Sequence, residues 1–144
     1  PWAARDRISL IGWANGARAV LWAVRPQLSP RSAVPDFRSA VVFYPDCRTS
    51  SGLGWSARVP TVLLIGAKDE TSSPQACRQL VDGARGRSAL TRIVVYPGAA
   101  HDFDRASVAV RSIGSTDPAL PERAGTDAEA RSDAQRRVTE WLAR

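Results

Sequence analysis

The sequence predicts an α/β domain with a mostly parallel sheet flanked by helices. Two observations carry this. Four short runs, residues 7–13, 39–44, 60–66 and 90–96, are apolar nearly throughout instead of alternating, the pattern of strands buried on both faces. Segments of helical character stand between and after them, and strands alternating with helices imply a parallel sheet with helices against its faces.

The elements follow in order. Residues 7–13 form a strand ending near Gly12. Residues 15–24 are rich in Ala, Leu and Val and are stopped by Pro26, which fits a helix. Residues 27–37 carry Pro30 and Pro35 and read as a loop. The strand at 39–44 is ended by Pro45-Asp46, and 47–58 is a Ser- and Gly-rich loop. The run at 60–66 is the clearest strand. Ser73-Pro74 then opens a helix as cap and first-turn proline, running to about Ala84, with Gly83 and Gly86 marking its end. The strand at 90–96 is closed by Pro97-Gly98, and 102–125 reads as mostly irregular. The last helix, 127–142, puts Ala130, Ala134, Val138, Trp141 and Leu142 on one face.

Composition bounds the function. The 144 residues suit one domain, 1–144, yet are few for a complete α/β enzyme. The formal charge is +6, and of 20 basic residues all but Lys68 are arginine. They are scattered, with only Arg136 and Arg137 adjacent, and form no basic stripe, which weighs against nucleic acid as a partner. No apolar run approaches the ~20 residues that span a bilayer, so no membrane partner is expected. The opening Pro1-Trp2-Ala3-Ala4-Arg5 has no signal-peptide pattern and leads straight into a strand, as if an upstream part were missing. Cys47 and Cys77 are too few for a disulfide scaffold and lack metal-ligand spacing, and neither metal nor cofactor is expected.

Three strand ends carry chemistry. Gly12-Trp13-Ala14-Asn15-Gly16 lies between the first strand and the first helix, in the place and spacing of G-x-S-x-G, the sharp turn that presents a nucleophile. The flanking glycines would let helix and strand pass closely, and the Asn15 N–H at the helix start would be one oxyanion donor. Alone, the motif is also what a tight turn of small residues gives. Asp69 follows the third strand, where an orienting carboxylate would stand, although taken alone Asp69 or Glu70 more simply caps the turn before Ser73. His101, the one histidine, follows the fourth strand on a small-residue loop, as a general base or as an exposed loop histidine. Together the order is elbow, acid, histidine, each after its own strand, and in a parallel sheet all three stand on one rim.

With these residues in hand, the chain resembles the C-terminal part of a dienelactone hydrolase family protein, of the α/β-hydrolase superfamily. Ile11-Gly12-Trp13-Ala14-Asn15-Gly16, Val42-Phe43-Tyr44-Pro45-Asp46-Cys47, Leu64-Ile65-Gly66-Ala67-Lys68-Asp69 and Val95-Tyr96-Pro97-Gly98-Ala99-Ala100-His101-Asp102-Phe103 carry the resemblance. It implies hydrolysis of a small carboxylic ester or lactone through an acyl-enzyme, with Asp69 orienting His101 and a Ser or Cys nucleophile at position 14. Here that position is Ala14, which has no lone pair to attack a carbonyl, so the chain as written is expected to be nearly inactive. Ala14 would be an engineered replacement, a natural loss in a pseudoenzyme, or a sign that another residue does the work, and Ser9, inside a strand, offers no obvious substitute.

The resemblance also implies strands before residue 7 that this chain lacks. Their place would be taken by another piece of the same protein or by a homodimer mate, since the first strand would otherwise be a bare apolar edge. Cys47 and Cys77 could meet in a disulfide, pointing to an exported, periplasm-like setting. They could equally be free buried thiols of a cytoplasmic protein, with Cys47 alternatively a pocket residue. Three functions remain in view: the ester or lactone hydrolase, a non-catalytic protein binding a small carboxylate or ester near His101, and, behind both, a nucleic-acid binder.

Overall fold

The computed structural model describes residues 2–27, 35–50, 54–113 and 122–144. The elements are β1 (Ser9–Trp13), α1 (Asn15–Ala23), β2 (Ser39–Phe43), α2 (Cys47–Ser50), β3 (Thr61–Gly66), α3 (Pro74–Ala84), β4 (Thr91–Tyr96), β5 (Arg111–Ile113), β6 (Glu122–Ala124) and α4 (Ala128–Ala143). The first four strands make one parallel sheet in the order β1-β2-β3-β4. The wholly buried strands β2 and β3 are its centre, which is why their sequences are unbroken apolar runs.

The crossovers through α1 and α3 step the same way across the sheet, so their common right-handed sense puts both helices on one face. On the other face α4 turns Ala134 and Val138 toward Ile11, Trp13 and Phe43. Leu21 of α1, Leu80 and Val81 of α3, and Trp141 of α4 close the core around the two central strands.

Register aligns the strand ends. Trp13 pairs with Phe43, Phe43 with Leu64, and Gly66 with Tyr96. The segments that leave these strands therefore emerge on one rim.

Several expectations need correction. The strand expected at 7–13 is not buried on both faces: Ile8, just before β1, and Ile11 and Trp13 within it are 46%, 38% and 47% exposed, because among the described residues β1 pairs with a strand on one side. β4, the other edge, is only half-buried along most of its length. The loop expected at 47–58 begins with the short helix α2, entered through the Asp46 carboxylate, which accepts from the Arg48 N–H at 3.2 Å. The stretch 102–125 holds an antiparallel pair, with Arg111 opposite Ala124 and Ile113 opposite Glu122, whose three-residue strands are too short to show a period in sequence. Gly83 lies inside α3, and it is Gly86, at φ 81°, that turns the chain beyond its end. The parts of the expected loops at 28–34, 51–53 and 114–121 lie outside the described residues.

Candidate active site

The turn after β1 has an elbow's geometry. Ala14 sits at φ 48°, ψ −114°, a conformation that costs a non-glycine residue energy and persists where the surroundings impose it. Its N–H donates to the Phe43 carbonyl at 3.1 Å, and its carbonyl accepts from the Arg18 N–H at 3.1 Å, the first turn of α1. A Cβ on Gly12 would come within 2.6 Å of the Gly16 carbonyl oxygen, so Gly12 is sterically required. Gly16 is not: a Cβ there meets nothing within 4 Å, which corrects the expectation that both glycines make room. Asn15 is the first residue of α1, among the N–H groups that have no partner inside the helix, at its positive end.

Asp69 and His101 are brought together. Asp69 is 3% exposed and His101 8%, so neither is a surface loop residue. Asp69 Oδ2 lies 2.8 Å from His101 Nδ1. A carboxylate can only accept, so Nδ1 carries the hydrogen and the neutral ring leaves Nε2 with its lone pair. Asp69 Oδ1 accepts from the Ser72 N–H at 2.7 Å, so this residue both caps its turn and holds the imidazole. Gly66 permits the approach. The Ala99 carbonyl packs against it and accepts from the Lys68 N–H at 2.9 Å, joining the loops that carry the two groups.

Tyr44 leaves β2 beside the elbow and carries its ring to His101. Trp13 and Phe43 are register partners, so Ala14 and Tyr44 leave neighbouring strands at the same level, spaced roughly 4.8 Å as parallel strands are. The Tyr44 ring centroid lies 4.5 Å from that of His101. Among the described residues, Ala14, Tyr44, Asp102 and Ser107 are the non-glycines at positive φ, and three of these four belong to this rim. Ser9 does not: it lies at the opposite end of β1, its hydroxyl 2.9 Å from that of Ser39.

Sequence reasoning passed over Tyr44, Asp102 and Asp104. Asp104 accepts from the Tyr44 hydroxyl at 2.8 Å and from the Trp13 indole N–H at 2.7 Å. An Asp102 oxygen is 4.0 Å from His101 Nε2. The usable signal was the pair of carboxylates at i+1 and i+3 from His101. Burial works against a charged imidazole here, but the hydrogen bond and charge of Asp69, with the fields of Asp102 and Asp104, outweigh it and raise the His101 pKa above its usual 6.5. Burial beside Asp104 pushes the Tyr44 phenol well above its ordinary range, so it remains a donor.

Cys47 and Cys77 form a disulfide, and both are fully buried, so Cys47 is neither a free thiol nor a pocket side chain. The bridge ties α2 to α3 near two further links between the end of β2 and the Asp69 turn. The Ser72 hydroxyl donates to the Tyr44 carbonyl at 2.9 Å, and Arg48 donates to the Thr71 carbonyl at 2.7 Å. Among the described residues no helix is long and apolar enough to cross a membrane. None of their His, Cys, Asp and Glu side chains form a group of three or more suited to a metal ion.

The sequence model of the dienelactone hydrolase family matches residues 2–144. Among solved structures, the "Putative Dienelactone Hydrolase from Klebsiella pneumoniae subsp. pneumoniae MGH 78578" superimposes with a TM-score of 0.69 at 21% identity, covering 99% of this chain and 54% of that one. Thermogutta terrifontis esterase 2 phosphorylated by paraoxon gives 0.58 at 18% identity, covering 94% of this chain and 54% of that one. The Pyrococcus horikoshii acylaminoacyl peptidase gives 0.56 at 14%, over 73% of this chain and 21% of that one. No curated protein matches. The chain thus spans about half the length of the Klebsiella and Thermogutta proteins. With its four-stranded parallel sheet and a family match over nearly its whole length, the chain belongs to the dienelactone hydrolase family, within the α/β-hydrolase superfamily.

Proposed function

We propose that this chain carries the site half of a small carboxylic-ester or lactone hydrolase acting through an acyl-enzyme, with Asp69 orienting His101 and the Asn15 N–H as one oxyanion donor. Position 14 is the nucleophile position, and Ala14 leaves this form nearly inactive. The observation that carries the reading is the hydrogen-bonded Asp69–His101 pair on the same rim as an elbow that keeps its strained backbone although its residue has nothing to attack with. Loss of a triad nucleophile typically costs ~10⁶ in turnover and leaves ~10³–10⁴ over water. The alternative, a non-catalytic protein binding a small carboxylate or ester beside His101, is favoured by Ala14 itself.

The rest of the sheet would add at β1. The exposed Ile8, Ile11 and Trp13 support this, as does a cavity of about 420 Å³ between that edge and α4, and the occupant would be further strands of the same protein or a homodimer mate. In the whole protein, Ala14→Ser is expected to create turnover of nitrophenyl acetate that His101→Ala abolishes. Saturable binding of a small carboxylate with no gain of turnover would favour the binding protein instead.

A further inference from the structure

Asp104 joins three parts of the rim: the elbow, the end of β2 and the loop that carries His101. Its two carboxylate oxygens are used separately, Oδ2 by the Trp13 indole at 2.7 Å and Oδ1 by the Tyr44 hydroxyl at 2.8 Å. Trp13 is the residue before Ala14, and the Tyr44 ring lies against His101. Asp104 itself is three residues beyond His101, and its carbonyl is held from α4 by Arg131 Nε at 3.1 Å. Trp13 is also stacked on Phe43, ring centroids 5.3 Å apart and nearly parallel, so the indole has little freedom to follow Asp104 if that residue moves. The carboxylate thus spans from the elbow to the imidazole's neighbour, across the gap an acyl-transfer step must hold to a few tenths of an ångström.

We propose that Asp104 is a positioning residue that sets the placement of the His101 ring relative to position 14 by clasping Trp13 and Tyr44 together. This rests on the hydrolase reading of the site. Two donors converge on Asp104, and its carboxyl group accepts from each with a separate oxygen. Leucine, close to aspartate in shape, accepts from neither donor, so Asp104→Leu breaks both arms, whereas asparagine would keep them, its oxygen accepting from Trp13 and its NH₂ donating to the Tyr44 oxygen.

The test has two arms. In the Ala14→Ser protein, adding Asp104→Leu should lower kcat by about 10- to 100-fold with KM within about twofold, the signature of misplaced reacting groups. An unchanged kcat, or a rise in KM with kcat kept, overturns the clasp. Should Ala14→Ser alone show no turnover, the hydrolase reading fails, and the clasp is decided on the unaltered chain by NMR. Cross-relaxation between the Tyr44 and His101 ring protons should weaken in Asp104→Leu while the dispersed methyl spectrum of the core persists. An undiminished ring–ring signal there overturns it.

Discussion

The Ala99 carbonyl lies so close to Gly66 that a Cβ at position 66 would come within 2.2 Å of its oxygen. This contact lets the loop after β4 fold back over the end of β3, and it is how His101 arrives beside Asp69. Gly66→Ala should therefore destabilise the protein by about 1–3 kcal/mol or more through overpacking against backbone that cannot yield. Gly16→Ala, with open space around its Cβ, should be neutral or stabilising by up to ~1 kcal/mol, the helix preference for Ala over Gly. Urea midpoints of the two variants measure the contrast, and equal losses would mean the packing at Gly66 is misjudged.

The chain has a single histidine, so its imidazole can be titrated by NMR without ambiguity. The folded His101 should titrate above 6.5, and Asp69→Asn should move that titration down, since Asp69 supplies the strongest of the raising contributions. The folded pKa is above the unfolded one, so this ionisation stabilises the fold fully below pH 6.5 and its contribution fades as pH rises through the folded value. In an Ala14→Ser protein the neutral ring is the working base, so the acid limb of kcat/KM should also lie above pH 6.5 and Asp102→Asn should shift it downward.

The Cys47–Cys77 bridge closes a loop with a sequence separation of 30. Chain-entropy reasoning gives about 3–4 kcal/mol for such a loop. Thermal unfolding with and without reductant should differ accordingly, and the intact mass should lie below the fully reduced value. Full thiol reactivity in the unreduced, unfolded protein would contradict the bridge.

Arg58 is a second fastening. Its guanidinium takes Asp36 with Nε at 2.7 Å and Nη2 at 2.9 Å, and donates to the Arg25 carbonyl at 2.7 Å and to the Ala23 carbonyl, where α1 ends. Lysine cannot reproduce that fork, so Arg58→Lys should cost roughly 1–3 kcal/mol in a denaturant titration. A loss as small as that of Arg144→Lys, an exposed residue just past α4, would contradict the role.

Much of this was legible from the chain. The unbroken apolar runs at β2 and β3 gave the parallel sheet because burial on both faces leaves no alternation to confuse. Ser73-Pro74 marked the start of α3, where the Ser73 hydroxyl accepts from the Ala76 N–H at 3.1 Å. The three strand ends pointed to Ala14, Asp69 and His101 because topology alone aligns them. What was hidden depended on long-range partners. The exposure of β1 follows from its place at the sheet edge, not from its own residues. The pairing of β5 with β6 rests on three residues a side, anchored where the Gly125 N–H donates to the His101 carbonyl at 2.9 Å. The clasp of Asp104 on Trp13 spans 91 residues, a distance no local pattern encodes.

On the proposed reading, the rim that holds Asp69 and His101 belongs to an acyl-transfer site whose nucleophile position is occupied by Ala14. Intact-protein mass spectrometry of the whole Ala14→Ser protein after exposure to a fluorophosphonate tests it most directly. The account predicts one phosphonyl adduct per chain, mapped to position 14 and lost when His101→Ala is added. No adduct at position 14, or one that forms equally fast without the imidazole, would contradict it.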